Sequence, residues 1–204
     1  MVIAMVPLGI AMALIVHYTN IVVAIDDADW RYVLHRPNFV NIMKLSGAPV
    51  IGGGFGMLFA ATIATAITGR EGRFWPLALT AALYGIITPV LVGLLLPANL
   101  FVLDVLGLSV IDVSVSDAVS LWVFGTPFFV MTYTMTGIKQ ALWAGIGAVL
   151  LGAGVFRYVG PNRAVFSVGR ATIATLAVAV VAAAIVMFGP LGVFELIYNN
   201  FRVT

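Results

Sequence analysis

The chain is a succession of long apolar stretches separated by short polar ones. Runs bounded by charged residues occupy about 4–25, 47–68, 77–96, 118–137, 140–156 and 171–194. A hydrocarbon core of about 30 Å takes roughly 20 apolar residues to cross as a helix, and the six runs are of that order. Backbone amides in lipid must be paired within their own structure, which leaves helices or closed barrels. A barrel would show segments of about ten residues that alternate in polarity. Runs such as Ala177 to Val186 (AVAVVAAAIV) carry no alternating polar positions. The pattern therefore predicts an all-α, polytopic helical membrane protein. Residues 1–204 would form one integral membrane domain with six transmembrane helices.

Two stretches bear on that count. Residues 118–156 hold a single charge, Lys139, beside Gly137 and Gln140. As one helix they would extend roughly 58 Å, too long for one crossing. The reading predicts two short helices joined by a tight turn at Gly137–Gln140. Residues 98–117 (ANLFVLDVLGLSVIDVSVSD) are apolar enough to give a seventh span if 98–116 inserts. Asp104, Asp112 and Asp117 oppose this, each costing roughly 2.5–3.5 kcal/mol at a helix centre. From Ile111 onward the near-strict alternation is that of an extended or surface-lying segment. The stretch reads as a structured interfacial loop.

Composition narrows the class. Of 204 residues, 62% are hydrophobic and 9% charged, against roughly 25% charged in a soluble domain. Mean hydropathy is +1.14. So few charges cannot cover a soluble surface, which excludes an ordinary soluble enzyme, a disordered chain and a basic-faced nucleic-acid binder. The ten Lys or Arg and eight Asp or Glu all fall outside the six runs. The expected partners are the lipid bilayer and a homo-oligomer or other membrane subunits, with no nucleic acid. Cysteine is absent, which removes disulfides, thiolate metal sites and iron–sulfur clusters. With two His in the chain, a four-coordinate His-rich metal site is excluded too. No cofactor is required by the sequence.

The first run lacks a basic n-region and an A-x-A site, so it reads as a retained span rather than a cleaved signal. Residues 25–44 carry Trp30, Tyr32 and Phe39 among charges, as a headgroup-level segment would. In the six-span arrangement Arg31, Arg36, Lys44, Arg157, Arg163 and Arg170 share one side, against Arg70, Arg73, Lys139 and Arg202 on the other. This places the N-terminus outside. The segment ATIAT at Ala61–Thr65 recurs at Ala171–Thr175, but the copies do not pair under a two-fold split, and chance explains them.

Candidate chemistry is sparse. His17-Tyr18-Thr19-Asn20 lies late in the first run, and His17 and Asn20, three apart, share a helix face. An ionisable group within a span is a functional candidate by default. Thr62, Thr65 and Thr68 make a hydroxyl stripe, and Thr88-Pro89 and Thr126-Pro127 combine hydroxyls with prolines that free a carbonyl four residues earlier. A polar pathway would be lined by His17, Thr19, Asn20, Thr62, Thr65, Tyr84, Thr88, Thr126 and Tyr133. Lacking a fixed charge at depth, it would suit a neutral or weakly polar solute. Gly52 and Gly56 have a small-xxx-small spacing, and with Gly145 and Gly152 they mark helix-packing positions. Asp26, Asp27, Asp29 and His35 cluster at a membrane boundary, where oxygen ligands could hold a divalent metal; a solvated cap on the first span is the simpler reading. There is no G-x-S-x-G elbow, and no catalytic residue is assigned.

The leading expectation is a small multi-pass membrane transporter, channel or permease subunit. The alternative is a non-catalytic membrane subunit of a larger multi-protein complex. A third, less favoured, is a membrane enzyme using the Asp26–His35 cluster with a metal.

Overall fold

The computed structural model describes residues 2–24, 41, 44–68, 74–108, 115–159 and 168–188. Among them are five α-helices and no strand: α1 (Val2–Ala24), α2 (Gly47–Thr68), α3 (Phe74–Val105), α4 (Val115–Val159) and α5 (Val168–Phe188). The protein is helical and membrane-like. By length and composition, Gly47–Thr68, Trp75–Val105 and Val119–Arg157 are long and apolar enough to cross a membrane, and Val2–Tyr18 and Gly169–Ala182 are shorter apolar helices.

Side chains sort by size rather than by polarity. The interior is rich in small residues, among them Ala4, Ala48, Ala60, Ala64, Ala148 and Ala171. Large apolar residues point outward, including Phe55, Phe59, Ile67, Phe128, Met135 and Leu150. Water would penalise that arrangement. In lipid, burying apolar area gains little, and close backbone approach governs packing instead.

Adjacent helices run antiparallel, and glycines mark where they touch. A Cβ on Gly52 would meet Val92 of α3 at 2.8 Å, and one on Gly56 would collide with the Thr88 hydroxyl. At the far end of the same pair, Asn99 donates a 3.2 Å hydrogen bond from Nδ2 to the Lys44 carbonyl. Between α3 and α4, a Cβ on Gly93 would meet Val130 Cα at 2.7 Å, and one on Gly145 would meet the Ala81 carbonyl at 2.6 Å. The stacked rings of Phe101 and Trp122, 5.9 Å apart, close this hairpin. The first helix, α1, sits centrally. Gly9 and Ala13 oppose Met57 and Gly53 of α2, and Met5 and Leu8 pack over Gly152 of α4. From α5, the buried Thr175 hydroxyl donates to the Ala4 carbonyl at 2.6 Å.

Two sequence expectations are corrected. First, residues 118–137 and 140–156 are not two helices with a turn at Gly137–Gln140. They form one uninterrupted helix, α4, of 45 residues, about 68 Å long. The reason is local. Lys139 and Gln140 are good helix formers, and one Gly costs only about 1 kcal/mol. A turn there would also expose backbone groups at membrane depth, because Gly137 packs beside Pro89, halfway along α3. Lys139 therefore lies within an apolar helix rather than between two.

Second, residues 98–105 are not loop, because α3 continues through Pro97 to Val105. It stops at Gly107, whose φ is +66°. The Gly107 amide bonds to the Asp104 carbonyl and the Leu108 amide to the Leu103 carbonyl, each at 2.9 Å. This paired closure needs a left-handed residue, which glycine supplies without steric cost. Of the alternating stretch, residues 109–114 lie outside the described residues, and Val115 to Asp117 open α4.

Candidate functional site

Four helices leave a cavity of about 30 Å³ between them, room for one or two water-sized molecules. His17 enters from α1, Tyr84 and Thr88 from α3, and Tyr133 from α4; Pro49, Pro89, Val92, Ala141 and Ala144 supply apolar wall. Among the described residues, none that lines it is charged.

The backbone explains how these groups converge. Tyr84 and Thr88 are one turn apart, so they share a face of α3. Tyr84 is fully buried, and its hydroxyl donates to the Gly9 carbonyl at 2.6 Å. Interhelical hydrogen bonds of this kind contribute about 0.6 kcal/mol on average and up to about 1.7 kcal/mol. Gly145 makes space for the ring, since a Cβ there would come within 3.2 Å of Tyr84 Cδ1. Gly56 makes space for the Thr88 hydroxyl in the same way. Glycines that let helices approach thus also shape the polar wall.

His17 is 6% exposed and Thr88 4% exposed. His17 Nε2 has no hydrogen-bond partner among the described residues, whereas the Thr88 hydroxyl faces that of Tyr84. A polar atom left unpaired away from solvent costs roughly 1–3 kcal/mol, so each such group calls for an explanation, and a ligand-binding role is one.

The expected pathway residues divide into three groups. His17, Tyr84, Thr88 and Tyr133 are brought together. Thr62 and Thr65 are exposed, and their hydroxyls bond the carbonyls of Leu58 and Ala61 at 2.7 and 2.6 Å. Thr126 bonds the Trp122 carbonyl of its own helix and does not line the cavity. Such back-bonding lets a hydroxyl sit on a lipid-facing helix without an outside partner. The side chains of Thr19 and Asn20 lie outside the described residues, as do Asp26, Asp27, Asp29 and His35. The packing glycines Gly52, Gly56, Gly145 and Gly152 all lie at helix contacts.

Two further buried polar groups lie on α4, of which the sequence pattern singles out Thr134 but not Gln140. Thr134 Oγ1 and Gln140 Oε1 are buried without a hydrogen-bond partner among the described residues. Gln140 carried a signal, as an uncharged amide inside an apolar run, but it was assigned to a turn. No protein-family model, curated protein or solved structure matches this chain.

Proposed function

We propose that this protein is a small multi-pass membrane transporter, channel or permease subunit that carries a neutral or weakly polar solute. One observation carries the reading: a cavity between α1, α2, α3 and α4 with a polar wall of His17, Tyr84, Thr88 and Tyr133 and no charged lining residue among those described. One of those groups, His17, keeps an unpaired polar atom among the described residues that a small hydrogen-bonding solute can satisfy. A site without fixed charge binds ions poorly in a low-dielectric surround, because nothing repays their dehydration. Small neutral molecules carry no such penalty. A solid core would have favoured a purely structural subunit.

The test is solute permeability of proteoliposomes, measured by stopped-flow light scattering with water, urea and glycerol as probes. The wild-type chain is expected to raise permeability to at least one of them above that of protein-free vesicles. His17→Phe, which keeps an aromatic ring and removes both nitrogens, is expected to lower that increment about tenfold. Wild-type vesicles indistinguishable from empty ones for all three probes would sink the reading.

A further inference from the structure

We infer that the outward face of α4 around Lys139 docks against a membrane helix of a different protein, one that carries an Asp or Glu at the bilayer midplane. This rests on the depth of Lys139 and is independent of the cavity.

The depth follows from the helix registers. The apolar part of α2 lies between Lys44 and Arg70, and that of α3 between Arg73 and Asp104, so their midpoints fall near Met57 and Thr88. Gly56 and Thr88 do oppose each other. On the other side of α3, Pro89 faces Gly137, and Gly85 faces Leu142 of α4. Lys139 lies between those two α4 positions, at the level of the midplane. It is exposed, and it lies about 200° around the helix from Gly137, away from the cavity.

A cation at that depth needs a counter-charge. A lysine stem covers less than half of the roughly 15 Å from midplane to headgroups, so it cannot reach a lipid phosphate without deforming the bilayer. The described carboxylates are too distant. Asp117 is 22 residues earlier on the same helix, about 33 Å away. Asp104 lies beyond Phe101, which stacks on Trp122 at the hairpin end, about 26 Å along α4 from Lys139. The neighbouring exposed side chains on this face are Met135, Thr136 and Trp143, none of which is anionic.

A second copy of this chain does not answer the need. In a two-fold dimer about the membrane normal, both copies hold Lys139 at the same depth, which sets like charges together. The carboxylates that the structure describes, Asp104 and Asp117, lie in the last turn of α3 and the first turn of α4, so neither of them stands at the midplane of a second copy. Charge complementarity therefore points to a foreign helix.

The test places a photo-crosslinking benzoylphenylalanine at Met135 or Trp143 of the full chain, in membranes of the organism that makes it, and sequences the adducts by mass spectrometry. The expected product is a peptide of another protein whose apolar segment contains Asp or Glu. Its yield should fall at least tenfold in Lys139→Leu and persist in Lys139→Arg. Adducts with lipid alone, adducts between two copies of this chain, a partner segment without a carboxylate, or a yield unchanged in Lys139→Leu would each overturn the proposal. Circular dichroism of purified Lys139→Leu guards against misfolding, and the identity of the wild-type adduct decides the matter without that variant.

Discussion

Gly53→Leu is expected to cause the largest loss of stability among substitutions in the bundle. A Cβ at Gly53 would collide with Ala13 Cβ and lie 2.7 Å from the Gly9 carbonyl oxygen. The obstructing carbonyl is backbone of α1, so it cannot swing aside as a flexible side chain would. Moving α1 has further costs, because the Gly9 carbonyl accepts from Tyr84 and the Ala4 carbonyl accepts from Thr175. Overpacking costs typically 1–3 kcal/mol, and a leucine here falls at the upper end, about 3 kcal/mol. That shifts the folded-to-unfolded ratio by roughly a hundredfold. Gly154→Leu is the matched control, since an added Cβ there has nothing within 4 Å, and no loss is expected, only a gain of up to about 1 kcal/mol from helix propensity. Titrating helicity with SDS in mixed micelles measures both. Equal midpoints for the two variants would show that the α1–α2 contact does not hold the bundle.

Gly137→Leu is expected to have the largest effect on permeation. Gly137 lines the cavity, and the nearest atom to an added Cβ is Pro89 Cβ at 3.7 Å, an ordinary contact distance. An alanine is therefore accommodated, while the longer leucine must extend into a space of about 30 Å³. The expected result is loss of the whole protein-dependent increment, to the level of protein-free vesicles, with Gly137→Ala retaining most of the wild-type value. The same stopped-flow measurement reads this outcome. A Gly137→Leu protein that folds and conducts like the wild type would remove the cavity from the pathway.

Much of the helical content was legible because lipid leaves the backbone few choices. Residues 47–68, delimited by charge alone, coincide with α2 at Gly47–Thr68. What the pattern concealed was where apolar helices end. Asp104 argues against a further span in the sequence, and the stretch that holds it reads as loop, whereas Asp104 lies in the last turn of α3. The signal was present in Leu103, Gly107 and Leu108, a glycine stop flanked by apolar residues. At Lys139 the reverse holds: the charge reads as a boundary in the sequence, yet it lies inside one unbroken helix. Hydroxyls were the hardest to place. Thr88 and Thr62 look alike in the sequence, yet one lines the cavity and the other bonds its own helix. Only the crossing of helices at Gly56 and Gly145 separates them.

If each described helix, α1 to α5, crosses the membrane once, the unbroken α4 makes the count odd rather than even. Every crossing switches compartments. Six crossings return the polypeptide to the face it left, whereas five do not. With each of α1 to α5 crossing once, the segment before α1 and the segment after α5 face opposite compartments. The cationic tally shifts with it: Arg70, Arg73, Arg157, Arg163 and Arg170 share one face, against Arg31, Arg36, Lys44 and Arg202. Five against four no longer favours an outward N-terminus by the positive-inside rule. Fluorescent and phosphatase reporters fused at the two ends are expected to report opposite sides, and agreement between them would restore an even count.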